Sequence, residues 1–214
     1  MSEEARQLSF LVDPASHPAV APPARQRQGS AASLSELVAA ISNCRKCALR
    51  SGATQTVPGE GNPEARLMLV GEGPGQQEDL TGRPFVGAAG QLLDRMLAAI
   101  GLSREAVFIA NVVKCRPPGN RTPDDAEAAA CLPYLRAQLE LVNPEVVLLL
   151  GATATRALLG PELRITKVRG QWFTRDGRLY LPTFHPAALL RDPSKKREAW
   201  IDLQLVRDRL SKQS

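Results

Sequence analysis

No apolar run in this chain of 214 residues approaches the ~20 residues that a membrane span needs. The longest, Val146 to Leu150 continued by Gly151 and Ala152, is far shorter. The opening MSEEARQLSF lacks a basic start followed by an apolar core, so no secretory leader is expected. Cysteine is scarce, with four residues. With no leader, four thiols argue against a disulfide scaffold and for a metal or redox role in the cytoplasm. Aromatics make up 4% and histidines number two, so each stands out. There is no internal repeat, no Rossmann GxGxxG and no Walker loop. A transmembrane protein, a collagen-like chain and a secreted disulfide knot are excluded.

What is present is a hydrophobic fraction of 43%, enough for a core, in a length that suits one domain. Residues 1–33 hold three basic and three acidic side chains, four prolines and seven alanines, without an apolar period. They read as a flexible tail, and residues 34–214 as a single domain. Residues 34–159 carry 12 basic and 13 acidic groups; residues 160–214 carry 12 basic and 6 acidic. The net charge of +5 therefore arises in the last quarter. A localised basic patch points to a polyanion, nucleic acid first. The alternative is a solvated surface with a lysine-rich helix.

Apolar runs bounded by Gly and Pro predict strands at Arg66–Val70, Val107–Val113, Val146–Leu150 and Leu179–Phe184. Pro182 marks the last as an edge or a strand end. Gly170 to Gly177 predicts a short hairpin before it. Helical spacing joins Leu93, Met96, Leu97 and Ile100, then Leu132, Leu135 and Leu139, then Ala199, Leu203, Val206 and Leu210. Thr122-Pro123-Asp124-Asp125 reads as a helix start with a threonine cap. Alternating strands and helices predict an α/β fold with a mostly parallel sheet covered on both faces.

The cysteines run Cys44-x2-Cys47, Cys115 and, after fifteen intervening residues, Cys131. A close pair plus two singles can close one four-thiolate site, for Zn or for an iron–sulfur cluster. Arg45, Lys46, Lys114 and Arg116 beside them favour thiolate. Either metal would be structural, since four protein ligands leave no open position.

Ligands of open α/β sheets bind beyond the carboxyl ends of strands. After the first strand comes Gly71-Glu72-Gly73-Pro74-Gly75, followed by Glu78 and Asp79. Its glycines let backbone N–H groups approach a ligand, or they make a plain tight turn. Phe85 follows between Pro84 and Gly87. Asn111 is an amide inside an apolar run and needs partners. His185, the one histidine beyond the tail, stands before Pro186 at the end of the last strand.

Taken together, GEGPG, TGRPFVG-x-AGQLLD, N-x-x-KCRPP-x-NR-x-P and FHPAALLR, with the cysteines interleaved, resemble the bacterial and archaeal family 4 uracil-DNA glycosylases. The likeness covers residues 34–210. It departs at Gly73, where the family usually has alanine. The resemblance implies a three-layer αβα fold on a four-stranded mostly parallel sheet. It implies a [4Fe–4S] cluster on Cys44, Cys47, Cys115 and Cys131. It implies hydrolytic release of uracil from DNA, initiating base excision repair. A related group cross-links to the abasic sugar through a histidine in KRRIH; Lys114–Arg121 holds no histidine, so release is expected here.

By that resemblance Gly71, Gly73, Phe85 and Asn111 bind the base. Glu72, Glu78 and His185 are the catalytic candidates, Glu78 also standing against C5 of the base. Leu189, Leu190 and Arg191 would touch DNA, the leucines as a wedge, although ordinary helix packing is the competing account of both. A monomer acting on uracil-containing DNA, without membrane attachment, is expected. Two other readings stay open: a non-catalytic nucleic-acid-binding module on this fold, and a Zn-stabilised phosphate- or nucleotide-binding hydrolase.

Overall fold

A computed structural model of the chain describes residues 33–212. The expected tail lies outside the described residues, apart from Ser33. The elements in chain order are α1 (Leu34–Ser42), α2 (Leu49–Gly52), β1 (Glu60–Gly61), β2 (Leu67–Gly71), α3 (Gln76–Thr81), α4 (Ala88–Ala99) and β3 (Phe108–Asn111). Then come α5 (Asp125–Val142), β4 (Val146–Leu150), α6 (Ala152–Leu158), α7 (Ile165–Val168), β5 (Phe173–Arg175), β6 (Arg178–Thr183), α8 (Pro186–Arg191) and α9 (Lys196–Ser211).

The strands form one sheet in the order β1-β3-β2-β4-β6-β5. The four central strands are parallel, as expected, and each edge carries a short antiparallel strand. The β5–β6 hairpin matches the Gly170–Gly177 signal. β1 was not foreseen: two residues beside Gly61 carry no period to detect. Strands β2 and β4 are buried at every position because both faces are covered, so they read as continuous apolar runs. Alternate side chains divide between two cores. Met68, Val70, Val147 and Leu149 pack with α1, α5 and α6. Leu67, Leu69, Leu148 and Leu150 pack with α4, α8 and α9. The three-layer αβα architecture follows.

Pro182 sits in β6 opposite Leu149, past the last residue that pairs with β5, so no ladder bond is lost on the outer side. The predicted cap of α5 moves by two residues. Asp124, not Thr122, accepts from the Glu127 N–H at 2.8 Å, and the Glu127 carboxylate accepts from the Asp124 N–H at 2.9 Å. This reciprocal pair satisfies two end donors, which Thr122 standing before Pro123 does not. A similar box closes α1 between Ser33 and Glu36.

From β2 the chain crosses to β3 on one side and then returns to β4 on the other. That reversal opens a crevice beyond the carboxyl ends of β2 and β4. Among the described residues, no helix is long and apolar enough to cross a membrane.

Candidate active site

A cleft of about 590 Å³ lies at that crevice. Each parallel strand contributes its carboxyl end: Glu72–Glu78 after β2, Asn111 on β3, Leu150–Ala152 after β4, and Phe184 and His185 after β6. The volume suits a small ligand held by a few polar groups. Phe85, Asn111 and His185, far apart in sequence, share this one wall-lined space.

Phe85 is buried and stacks on His185, with ring centroids 5.5 Å apart and planes 29° apart. Strand register sets Gly71 directly opposite Asn111. A Cβ on Gly71 would strike the Asn111 Oδ1 and the Phe85 ring, so glycine is what lets these groups meet. Asn111 is 2% exposed, and among the described residues its buried Oδ1 has no hydrogen-bond partner. An orphaned acceptor costs about 1–3 kcal/mol unless a ligand satisfies it. Behind it the buried Lys114 Nζ donates to the Asn111 carbonyl at 2.8 Å and to Gln138 Oε1 at 2.6 Å. Burial pushes Lys114 down to about 8, partly opposed by Cys131.

His185 caps α8. Its Nδ1 accepts from the Ala187 N–H at 3.1 Å, so in the neutral ring the proton resides on Nε2. Burial, helped by Arg191 and opposed by Glu78, pushes His185 down to about 4. At neutral pH the cleft therefore holds an uncharged imidazole with one N–H to give.

The two glutamates differ. Glu78 Oε1 accepts from the N–H groups of Val86 and Gly87 at 2.8 Å each, and Oε2 accepts from the Gly75 N–H at 3.1 Å. Both oxygens are occupied, and the carboxylate ties the glycine loop to the Phe85 turn. Glu72 Oε2 accepts from the Thr153 hydroxyl, and Glu72 faces the cleft. Gly73 lines the cleft as well, close against Val113.

The rim corrects one expectation. Leu189 is 2% exposed and belongs to the core beneath α8, so it is no wedge; helix packing accounts for it. Leu190 is 42% exposed on the same helix. Arg191 borders the cleft, joined from the opposite side by Asn120 and Arg121. Thr153 escaped the sequence reading, and Asn120 and Arg121 stood in the N-x-x-KCRPP-x-NR-x-P motif without an assigned role. The signal for Thr153 was present: Gly151-Ala152-Thr153 follows the third apolar run as the other motifs follow theirs.

On the other side of Asn111, all four cysteines line a second, smaller and apolar cavity with Ile41, Leu49 and Tyr134. Burial pushes the Cys115 thiol up to about 12, and Cys131, Cys47 and Cys44 push the same way. Ionised together they repel, so a cationic centre suits them. Backbone N–H groups of Lys46 and Lys114 reach Cys44 Sγ at 3.5 Å and Cys131 Sγ at 3.3 Å. Among the described residues, no three His, Cys, Asp or Glu side chains converge on a single metal ion.

A cleft at the switch point of an open α/β sheet, with a stacking ring, an orphaned amide and a neutral imidazole, is of the class that takes a small planar ligand. The sequence profile of the Uracil DNA glycosylase superfamily matches residues 58–204. A type-4 uracil-DNA glycosylase of Thermotoga maritima is 51% identical over 160 residues, covering 73% of this chain and 82% of that protein. Proteins of the same name from Sulfurisphaera tokodaii and Archaeoglobus fulgidus are 44% and 43% identical, over 82% and 81% of this chain and 84% and 92% of theirs. The chain belongs to the uracil DNA glycosylase superfamily and, within it, to the type-4 uracil-DNA glycosylases.

Proposed function

We propose that the chain hydrolyses the N-glycosidic bond of uracil in DNA, releasing uracil and leaving an abasic site for base excision repair. The observation that carries this reading is the buried, unpartnered Asn111 Oδ1 beside the Phe85–His185 stack. Uracil offers N3–H to that oxygen and accepts at O4 from the Asn111 amide N–H; cytosine reverses both groups. A base inside a duplex is out of reach, so it enters flipped from the stack. The Phe85 ring then lies on the pyrimidine face. Glu78, locked by three backbone donors, is a wall against C5 where thymine carries its methyl.

As the C1′–N1 bond breaks, its electron pair moves onto the base. His185 Nε2–H stabilises the charge that gathers on O2, as does the field of the Gly71–Gly75 amides. A neutral imidazole suits this, because it donates without surrendering its proton. Water adds to C1′ and loses a proton. Glu72 is the carboxylate for that water, since both oxygens of Glu78 are engaged while, among the described residues, only Oε2 of Glu72 is held, by Thr153. Leu190 fills the vacated stack, and Arg191 with the basic groups of α9 meets phosphate.

Cys44, Cys47, Cys115 and Cys131 would hold a [4Fe–4S] cluster. That all four thiols line one cavity supports a single centre held by the four cysteines together. Bound there, it supplies cross-linking rather than chemistry on the base. Cysteines that form no disulfide and a DNA substrate suit the cytoplasm, and the chain is taken to act as a monomer.

The test is incubation with oligonucleotides containing uracil, cytosine or thymine, followed by alkaline cleavage of abasic sites. Cleavage is expected at uracil alone. Asn111→Ala is expected to lose at least about tenfold in excision, from one to two unmade buried hydrogen bonds, with fold and absorption spectrum kept. Excision by that variant at the wild-type rate would end the assignment.

A further inference from the structure

The Phe85 backbone is in an unusual state. Its φ is 52°, a left-handed conformation that a bulky residue rarely adopts. Two opposite charges grip it. On one side Glu78 accepts from the Val86 and Gly87 N–H groups. On the other, the guanidinium of Arg104 donates to the carbonyls of Pro84 at 2.6 Å and Phe85 at 2.9 Å. Arg104 is itself held, its NH2 nitrogen 2.7 Å from Glu60 and its NH1 nitrogen 2.9 Å from Asp94. It is buried to 16% exposure, while Asp94 is 44% exposed. α4 starts immediately beneath this turn, and a Cβ on Gly90 would collide with the Phe85 carbonyl.

We propose that Arg104 is a positioning residue, acting through Phe85: with Glu60 and Asp94 as its anchors, it holds the left-handed turn that sets the stacking ring. The inference rests on the uracil reading above and deepens it, for Arg104 does not line the cleft. It also accounts for parts of the sequence that recognition of the base leaves unused. Asp94 and Gly90 close the TGRPFVG-x-AGQLLD stretch; one anchors the guanidinium and the other makes room for the carbonyl it binds. β1 carries Glu60 to the far side of the same guanidinium. Lysine cannot replace the arginine, because a single ammonium cannot span two carbonyls and two carboxylates with a planar fork.

The experiment is a double-mutant cycle on kcat/KM for a uracil oligonucleotide. Arg104→Met, Arg104→Lys and Asp94→Asn are each made in the wild-type chain and in Phe85→Ala, with melting temperatures recorded alongside. A displaced ring is expected to cost Arg104→Met about tenfold to a hundredfold. Arg104→Lys recovers little, and Asp94→Asn loses less. In the Phe85→Ala background each of these losses shrinks to within about twofold, the limit of additivity for independent sites. If Arg104→Met does not fold, Asp94→Asn carries the cycle, its side chain being half exposed. Losses that persist in full without the ring, or an Arg104→Met variant as active as wild type, overturn the proposal. An inactive wild-type protein ends the uracil reading and this inference together, whereas an active one with additive losses ends this inference alone.

Discussion

His185 both caps a helix and lines the cleft, so a single proton governs two properties. The neutral ring accepts at Nδ1 from Ala187 and donates at Nε2. A second proton, at Nδ1, meets the Ala187 N–H head on. Burial moves the folded value down to about 4 from the ordinary 6.5. A depressed value means that the folded state resists protonation. Its stabilising share is complete above pH 6.5, declines as pH falls below that, and is gone once pH passes about 4. A kcat/KM–pH profile is accordingly expected to show no loss from this group between pH 7 and 5, and a fall around pH 4. Melting temperature against pH is expected to lose part of its acid slope in His185→Ala. At this scale the sequence was legible where a residue was chemically out of place: an amide in an apolar run, a lone histidine before proline, a phenylalanine between turns. It was illegible for Leu189, since adjacent leucines on a short helix look alike until one is seen beneath it. It was also illegible for Arg104, an arginine in an unremarked turn whose partners are distant in the chain.

Among the elements, α9 shows how far a period carries. Ala199, Leu203 and Val206 are buried as their spacing requires. Asp202 is on the buried side too, fully enclosed, where a carboxylate would be unexpected. It is matched from elsewhere: the Arg169 guanidinium pairs with it, and the Thr183 hydroxyl donates to it at 2.6 Å. Burial still raises its pKa, which Arg169 and Thr183 oppose. Asp202→Ala takes the nearest carboxylate from a guanidinium that is 18% exposed, leaving it the Glu198 carbonyl at 2.7 Å and the Glu198 carboxylate at 3.6 Å. The expected loss is about 3–5 kcal/mol of unfolding free energy, read by urea titration. The central strands and three long helices were recoverable because burial on two faces and on one face leave different periods. β1 was not, being a two-residue strand whose pairing partner is 47 to 49 positions away in sequence.

At the level of the molecule, the four cysteines that line one cavity come from three stretches, which the proposed cluster would join: the segment between α1 and α2, the loop after β3, and α5. The first of these lies outside the sheet altogether, so its attachment depends on that junction and on Leu37, Ile41 and Leu49 in the core. Cys131→Ala is expected to lower the melting temperature by about 5 °C or more and to expose the Arg45–Arg50 stretch to trypsin. Excision should persist in whatever fraction stays folded, as a structural tie predicts. The overall architecture was legible, because strands and helices alternate; the convergence of the thiols was legible only as a count and a spacing.

α8 is six residues long, a span of about 9 Å at the α-helical rise. Its first turn begins at the imidazole that lines the cleft, and its last turn carries the exposed leucine and the arginine that face outward. On the function proposed above, the helix is a ruler between the hole left in the double helix and the atom whose bond is cut. Lengthening it by one residue would swing the outward pair by about 100° while leaving the histidine in place, and so would separate capture of the lesion from its cleavage.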